Sequence, residues 1–314
     1  MQAVFGFFRA LAFAPGLVLI AAWLPPNRRS TALGMTVASN FGFQMVLNLT
    51  APTIEQWIGW RAIFIAVAAS GLIATVLFAS IADDSRATRS KAAISEGLGE
   101  LVRIPTMWLI AGVQFARLAI SMSIMFWMPT FLVEEHGLSL PAAGAIVALG
   151  AGMTALSNFG GGYLSDRIGR PLVIIGGSLA VLTVTSTLLV VVQSTALVIV
   201  VFAVHASFVQ VYFGPIFALP IQLLHVKAEG LATGFGNFFA NVGAFTFAFM
   251  LGAVKDGTGS FTAGFVALSV TAFLGLLLTI AIARTAPHTG PPAGPRAGAR
   301  VEGPGAVSSA SERA

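Results

Sequence analysis

Between Arg170 and Lys227 the sequence contains no Asp, Glu, Lys or Arg. A backbone that long without a charge has no face to offer water. Its amide groups must be satisfied inside helices and its side chains solvated by hydrocarbon. Much of the remaining chain repeats the pattern. With a ruler of about 20 apolar residues per crossing, nine segments qualify, at about 3–24, 33–53, 61–82, 106–132, 141–164, 171–192, 195–224, 230–254 and 261–283. Composition agrees: 56% of the 314 residues are hydrophobic and 9% charged, against roughly 25% charged in a soluble domain. The expected fold class is therefore all-α, a polytopic membrane protein with nine transmembrane helices.

The links between segments are short except for a polar stretch from Asp83 to Arg103 and a Pro/Gly/Ala/Ser-rich tail after Arg284. The tail cannot bury enough apolar surface to fold and is expected to be disordered. Four regions follow: residues 1–82 with three spans, the loop 83–105, six spans over 106–284, and the tail 285–314. Basic residues fall on alternate links. Arg28, Arg29, Arg86, Arg89, Lys91, Arg103, Arg167, Arg170, Lys227 and Arg284 share one side with Arg296, Arg300 and Arg313 of the tail, and the opposite links hold only Arg61 and Lys255. Cytoplasmic loops retain Lys and Arg, so the larger set, and with it the C-terminus, is expected in the cytoplasm. Nine crossings then put the N-terminus outside. The first segment is no signal peptide by this reading, since no basic residue precedes it and Pro25-Pro26-Asn27-Arg28-Arg29 follows it. The net charge of +5 belongs to this topology. No dense basic patch with interleaved aromatics invites nucleic acid. The absence of cysteine removes disulfide frameworks and Cys-based metal sites.

After the fifth segment stands Gly162-Tyr163-Leu164-Ser165-Asp166-Arg167-Ile168-Gly169-Arg170. A tight turn there needs Gly169 where φ is positive. Asp166 can face a helix N-terminus, and Arg167 and Arg170 can bridge to neighbours. The run resembles the loop signature of the major facilitator superfamily, G-x-L-x-D-R-x-G-R. That resemblance implies twelve helices in two six-helix bundles joined by a long cytoplasmic loop, with the motif after the second helix and often again after the eighth. It also implies that Gly162, Asp166, Arg167, Gly169 and Arg170 form a gating latch between the bundles. Three spans before the long loop and six after it, with the motif after the second of the six, resemble helices four to twelve of that plan. The first three would then be missing upstream. Arg9 stands where the family's fourth helix often carries arginine, although Phe13 replaces the glycine of the pattern R-x-x-x-G. Pro26 to Gly34 resembles the link into the fifth helix, and Gly59-Trp60-Arg61 the start of the sixth. The pattern G-P-x-x-G-G of drug/proton antiporters is absent from Gly34 to Thr50, which disfavours that class.

Two arginines remain inside the spans. Arg117 lies 12 residues beyond Pro105, roughly 18 Å along a helix and near the bilayer midplane, the depth at which transporters bind substrate. None of the twelve acids lies deep in a span. Arg117 therefore either binds the anionic group of a small substrate or pairs with an acid or carbonyl outside these segments. Arg9 lies nearer the outer face, where an arginine can also snorkel. Trp127-Met128-Pro129-Thr130-Phe131-Leu132 resembles the seventh helix of organophosphate and organic-anion symporters. Their substrate arginine precedes that tryptophan by six residues, a place held here by Ser121, with Arg117 one turn earlier.

Asn40, Gln44 and Asn48 share one side of the second segment, and Gln210, Asn237 and Asn241 are the corresponding polar residues of the seventh and eighth. They either line a cavity and bind substrate or hydrogen-bond helix to helix. His205 is the one candidate in the spans for coupling transport to a proton. Gly214-Pro215 and Pro220 are expected to interrupt the seventh segment, and Gly234, Gly236 and Gly243 to allow close contact along the eighth. The expected function is secondary transport of a small organic anion by alternating access in the plasma membrane. Its partners would be the lipid bilayer, an anionic small molecule and a co-transported proton or cation. No cofactor and no metal are expected, because no phosphate-binding Gly-rich loop or metal cluster occurs. The spans hold no acid pair or Ser–His–Asp set, so no enzyme is expected. A transporter-fold membrane sensor and a transport-inactive fragment are the alternatives.

Overall fold

Proline and glycine set the limits of the helices in the computed structural model, which describes residues 28–81, 94–224 and 229–285 together with Gly16, Ile20, Trp23 and Leu24. In chain order the elements are α1 Arg29–Ile58, α2 Trp60–Ile81, α3 Ile94–Val102, α4 Pro105–Glu134, α5 Leu140–Ile168, α6 Pro171–Val191, α7 Thr195–Phe208, α8 Phe213–Leu224, α9 Glu229–Thr258 and α10 Thr262–Thr285. The described residues contain no strand. α4, α5 and α6 each carry proline in the first two positions, where a missing N–H costs nothing because the first turn has no carbonyl to receive it. α5 stops where Gly169 turns left-handed, φ 65°, and donates its N–H to the Ser165 carbonyl at 2.9 Å.

Seven stretches are long and apolar enough to cross a membrane, at 61–80, 105–134, 140–168, 171–191, 195–220, 230–258 and 262–285. They coincide with seven of the nine predicted spans. The second predicted span is helical, as α1, but does not join the seven. Its run from Ser39 through Asn40, Gln44 and Asn48 to Glu55 and Gln56 dilutes its apolar character. The first predicted span lies almost wholly outside the described residues, as do most of the loop 83–103 and the tail. The end of that loop is not irregular as expected: α3 lays Leu101 against Met107 of α4 and Ala232 of α9.

The seventh predicted span is two helices rather than one. Between α7 and α8, Val211 and Phe213 donate to Phe208 and Gln210, three residues back. The cause is Pro215. It has no N–H for the carbonyl four residues earlier, Val211, so the ladder fails one turn before the proline itself. That carbonyl finds room against Gly161 of α5, where any Cβ would overlap it. Pro220, by contrast, sits inside α8.

α4 through α10 share one apolar core, in which Ile120, Ile124 and Met128 of α4 meet Leu179 and Leu182 of α6, Phe202 of α7 and Phe265 and Leu268 of α10. Hydrocarbon solvates leucine as well as leucine does, so close packing rather than water exclusion holds such helices together. Glycine provides it along α9, where a Cβ at Gly243 would overlap the Phe115 carbonyl of α4. The far ends of the same two helices are clamped by Lys255, 2.8 Å from Glu134 and 3.7 Å from Glu135, with its ammonium over the Phe261 ring. α1 lies along α5 and touches α8, and α2 packs on α1. The rest of α2 is exposed, Phe64 to 71%, as a helix apolar on all sides must be when lipid is its solvent.

Candidate functional site

Arg117 projects from the middle of α4 into the protein, with 2% of its surface exposed. Its Nε donates to Gln114 Oε1, one turn earlier on the same helix, at 2.7 Å. Its Nη1 donates to Gln210 Oε1 at 3.2 Å. The rings of Phe213 and Phe217 on α8 lie 5.0 and 5.6 Å from the guanidinium carbon. All these partners are neutral, and no carboxylate among the described residues forms an ion pair with Arg117. Two amide oxygens and two ring faces stabilise the cation but leave its charge uncompensated.

The break between α7 and α8 is what brings Gln210 there. With the ladder interrupted, its side chain spans from Arg117 to Ser121, donating through Nε2 to Ser121 Oγ at 2.9 Å. Two residues on, the buried Tyr212 hydroxyl has no hydrogen-bond partner among the described residues. Sequence reasoning missed Tyr212. Its one signal was the reach of Pro215 back to Val211, which opens the helix beside it.

His205, 1% exposed, stands on α7 with Nδ1 2.9 Å from Thr185 Oγ1 of α6. Its Nε2 has no partner among the described residues. The ring borders a small cavity walled by Ser121 and Ile124 of α4, Thr154 of α5, Phe202 in the middle of α7 and Val209 just past its end. Ser121 thus belongs both to the Arg117 network and to the His205 cavity.

The motif residues meet α1. Asp166 Oδ2 accepts the Thr31 backbone N–H at 2.8 Å and the Thr31 hydroxyl at 2.6 Å, so a carboxylate of α5 caps the first turn of α1. One residue earlier, the Ser30 carbonyl is wedged between Gly162 of α5 and Gly214 of α8, and a Cβ at either glycine would overlap it. Gly34 lies equally close to the Asn158 carbonyl. Arg167 and Arg170 are exposed and form no ion pair among the described residues.

The remaining sequence candidates are scattered. Asn40 and Asn241 are exposed and Asn237 is half-buried. Asn241 donates to the Asn237 carbonyl of its own helix at 2.8 Å, which joins it to no neighbour. Of the four polar candidates whose side chains are described, only Gln210 bonds to Arg117. Arg9 and the side chains of Gln44 and Asn48 lie outside the described residues.

A helical body coated with apolar side chains, holding a buried cation that no carboxylate among the described residues compensates and a carboxylate of one helix capping another, has the build of a multi-pass membrane protein. The profile of the Major Facilitator Superfamily matches residues 1–248, and the chain belongs to that family, one of transporters rather than enzymes. It is similar to a nitrite extrusion protein of Bacillus subtilis (strain 168), 25% identical over 262 residues, which cover 82% of this chain and 65% of the relative. A probable galactarate/D-glucarate transporter of the same organism is 22% identical over 82% of this chain and 63% of the relative. A D-galactonate transporter of Escherichia coli O6:H1 is 24% identical over 82% and 68%. The chain thus spans about two thirds of the length of these relatives. Among solved structures, the transporter FucP in its outward conformation shares the fold with TM-score 0.70, at 13% identity, over 86% of this chain and 72% of that one.

Proposed function

We propose that this chain acts as a secondary carrier of a small organic anion, with Arg117 as the residue that receives the anionic group. The observation that carries this is the buried guanidinium, which among the described residues is held by amide oxygens and aromatic faces and by no carboxylate. A charge left uncompensated at mid-membrane is costly, and an incoming carboxylate supplies the missing partner while taking up the unused donors of the fork. Gln210 and the Tyr212 hydroxyl, which has no partner among the described residues, border the same cation and would orient the rest of the molecule. Sugar acids are named for the galactarate/D-glucarate and D-galactonate relatives, which suits an arginine-centred site.

The Asp166–Thr31 cap belongs to a state sealed at that end. The basic residues gathered on that side make it the cytoplasmic one, with the C-terminus inside and the plasma membrane as location. Alternating access then consists of releasing Ser30 and Thr31 from α5 while the site opens inward. The test is counterflow of labelled galactarate and galactonate into proteoliposomes. Arg117→Gln is expected to abolish saturable exchange. Arg117→Lys, which keeps the charge without the two-pronged geometry, is expected to raise the apparent KM by about tenfold or more. Unchanged apparent affinity in both variants would end the assignment.

A further inference from the structure

The Arg117 and His205 sites share a wall, and the hydrogens along it run in one direction. Arg117 Nη1 donates to Gln210 Oε1, and Gln210 Nε2 donates to Ser121 Oγ. Because Ser121 accepts there, its own hydrogen is available to the cavity it borders with His205. Across that cavity Thr154 is already satisfied, donating to the Gly150 and Ala206 carbonyls. On the far side of the ring, Thr185 Oγ1 lies 2.9 Å from the Val181 carbonyl, which takes its one hydrogen. With the Thr185 hydrogen on the Val181 carbonyl, the matching neutral tautomer donates from Nδ1 to Thr185 and carries its lone pair at Nε2, the atom without a partner among the described residues. The cavity holds about one water, enough to complete the link from Ser121 to Nε2.

We propose that His205 Nε2 is the proton-binding atom of this carrier, and that its protonation makes Arg117 ready for the anion by reversing the Ser121–Gln210 hydrogen bond. A proton from the aqueous phase turns Nε2 from acceptor to donor. Ser121 Oγ, directly or through the water, then accepts from His205 and directs its own hydrogen at Gln210. Gln210 must present Oε1 to Ser121, so its amide turns over and its NH2 faces Arg117. Two donors now converge on one spot, where only an anion satisfies both. Among the described residues, the polar groups facing His205 are Ser121 on α4, with Arg117 behind it through Gln210, Thr154 on α5 and Thr185 on α6. The one charge among them is Arg117, so proton and anion favour each other's binding, and by reciprocity each does so to the same degree.

This coupling rests on the anion reading of Arg117, and one set of measurements separates the two. Galactarate and galactonate counterflow is measured for the chain in proteoliposomes from about pH 5 to about pH 8, beside uptake driven by an inward proton gradient. The wild type is expected to bind substrate about tenfold more tightly at the acid end and to accumulate it under the gradient. His205→Gln is expected to lose both the pH dependence of apparent KM and the accumulation. Ser121→Ala keeps the imidazole and cuts the link, so it is expected to lose the pH dependence too. It decides the matter should His205→Gln fail to fold. Wild-type pH dependence retained in Ser121→Ala, or in a folded His205→Gln, overturns the proposal and leaves the anion site standing. Absence of saturable counterflow in the wild type overturns both.

Discussion

Asp166 accepts two hydrogen bonds from a single residue, Thr31, and one is a helix-terminal N–H that the helix itself cannot satisfy. Asp166→Ala therefore removes a cap of about 1 to 2 kcal/mol from this arrangement, which under the proposed alternating access shifts the open-to-closed ratio roughly 5- to 30-fold. The chain has no cysteine, so Ser30→Cys, a near-isosteric change at a buried position, reports this without background. Its alkylation by a membrane-impermeant maleimide should speed up when Asp166→Ala is added. Thr31→Val, which keeps the N–H, should have a smaller effect in the same direction. An unaltered alkylation rate in the double variant would mean that the cap does not hold the latch. Sequence spacing singled out Asp166 and its role toward a helix N-terminus, but not which helix, because Thr31 lies 135 residues away. Arg117 was legible for the same local reason, a charge inside an apolar run. Its partners were not, since Gln210 enters from 93 residues away.

Breaking the seventh predicted span into α7 and α8 puts Gln210 where it bonds both Arg117 and Ser121, and the break is caused by Pro215. Pro215→Ala returns an N–H to the Val211 carbonyl and restores a continuous helix, relieving a cost of up to about 3 kcal/mol. The expected outcome is a higher unfolding temperature in detergent together with slower counterflow, because a straight helix rotates Gln210 away from Ser121. Faster counterflow in that variant would show that the break serves packing rather than the site. The presence of an interruption could be read from Gly214-Pro215. Its position could not be read from the dipeptide alone, because a proline disrupts the ladder one turn upstream and the carbonyl it strands must also find space, which Gly161 of another helix supplies. α3 escaped the sequence reading for a different reason. Ile94, Leu98, Leu101 and Val102 recur at helical spacing, but the segment is short and sits in a polar stretch, and its packing of Leu101 on Met107 and Ala232 is set by distant residues.

Across the whole molecule, α5 carries three consecutive glycines with three different surroundings, and only Gly162 among them meets α1. Gly160 faces open space, Gly161 the Val211 carbonyl and Gly162 the Ser30 carbonyl. Gly162→Ile must push α1 off α5 and is expected to cost about 1 to 3 kcal/mol or more, seen as protease sensitivity or loss of the monodisperse peak in detergent. Gly160→Ile on the same helix should be tolerated. Equal effects of the two changes would remove the tight seam as the explanation. What the sequence determined unaided is the solvent of this protein, the location of seven of its nine predicted spans and the glycine turn that ends α5. Apolar length, the side on which arginines fall and the sites of proline and glycine are local properties that no partner needs to supply. What only the tertiary structure decided is which face of each helix is covered. That fixed the partners of Arg117, the ring nitrogen of His205 left bare among the described residues, the capping of α1 by Asp166 and the two glycines of three that cannot grow a side chain. In lipid an apolar side chain is solvated equally well on every face, so hydrophobic pattern carries little information about helix rotation, and close packing between distant segments has to set it.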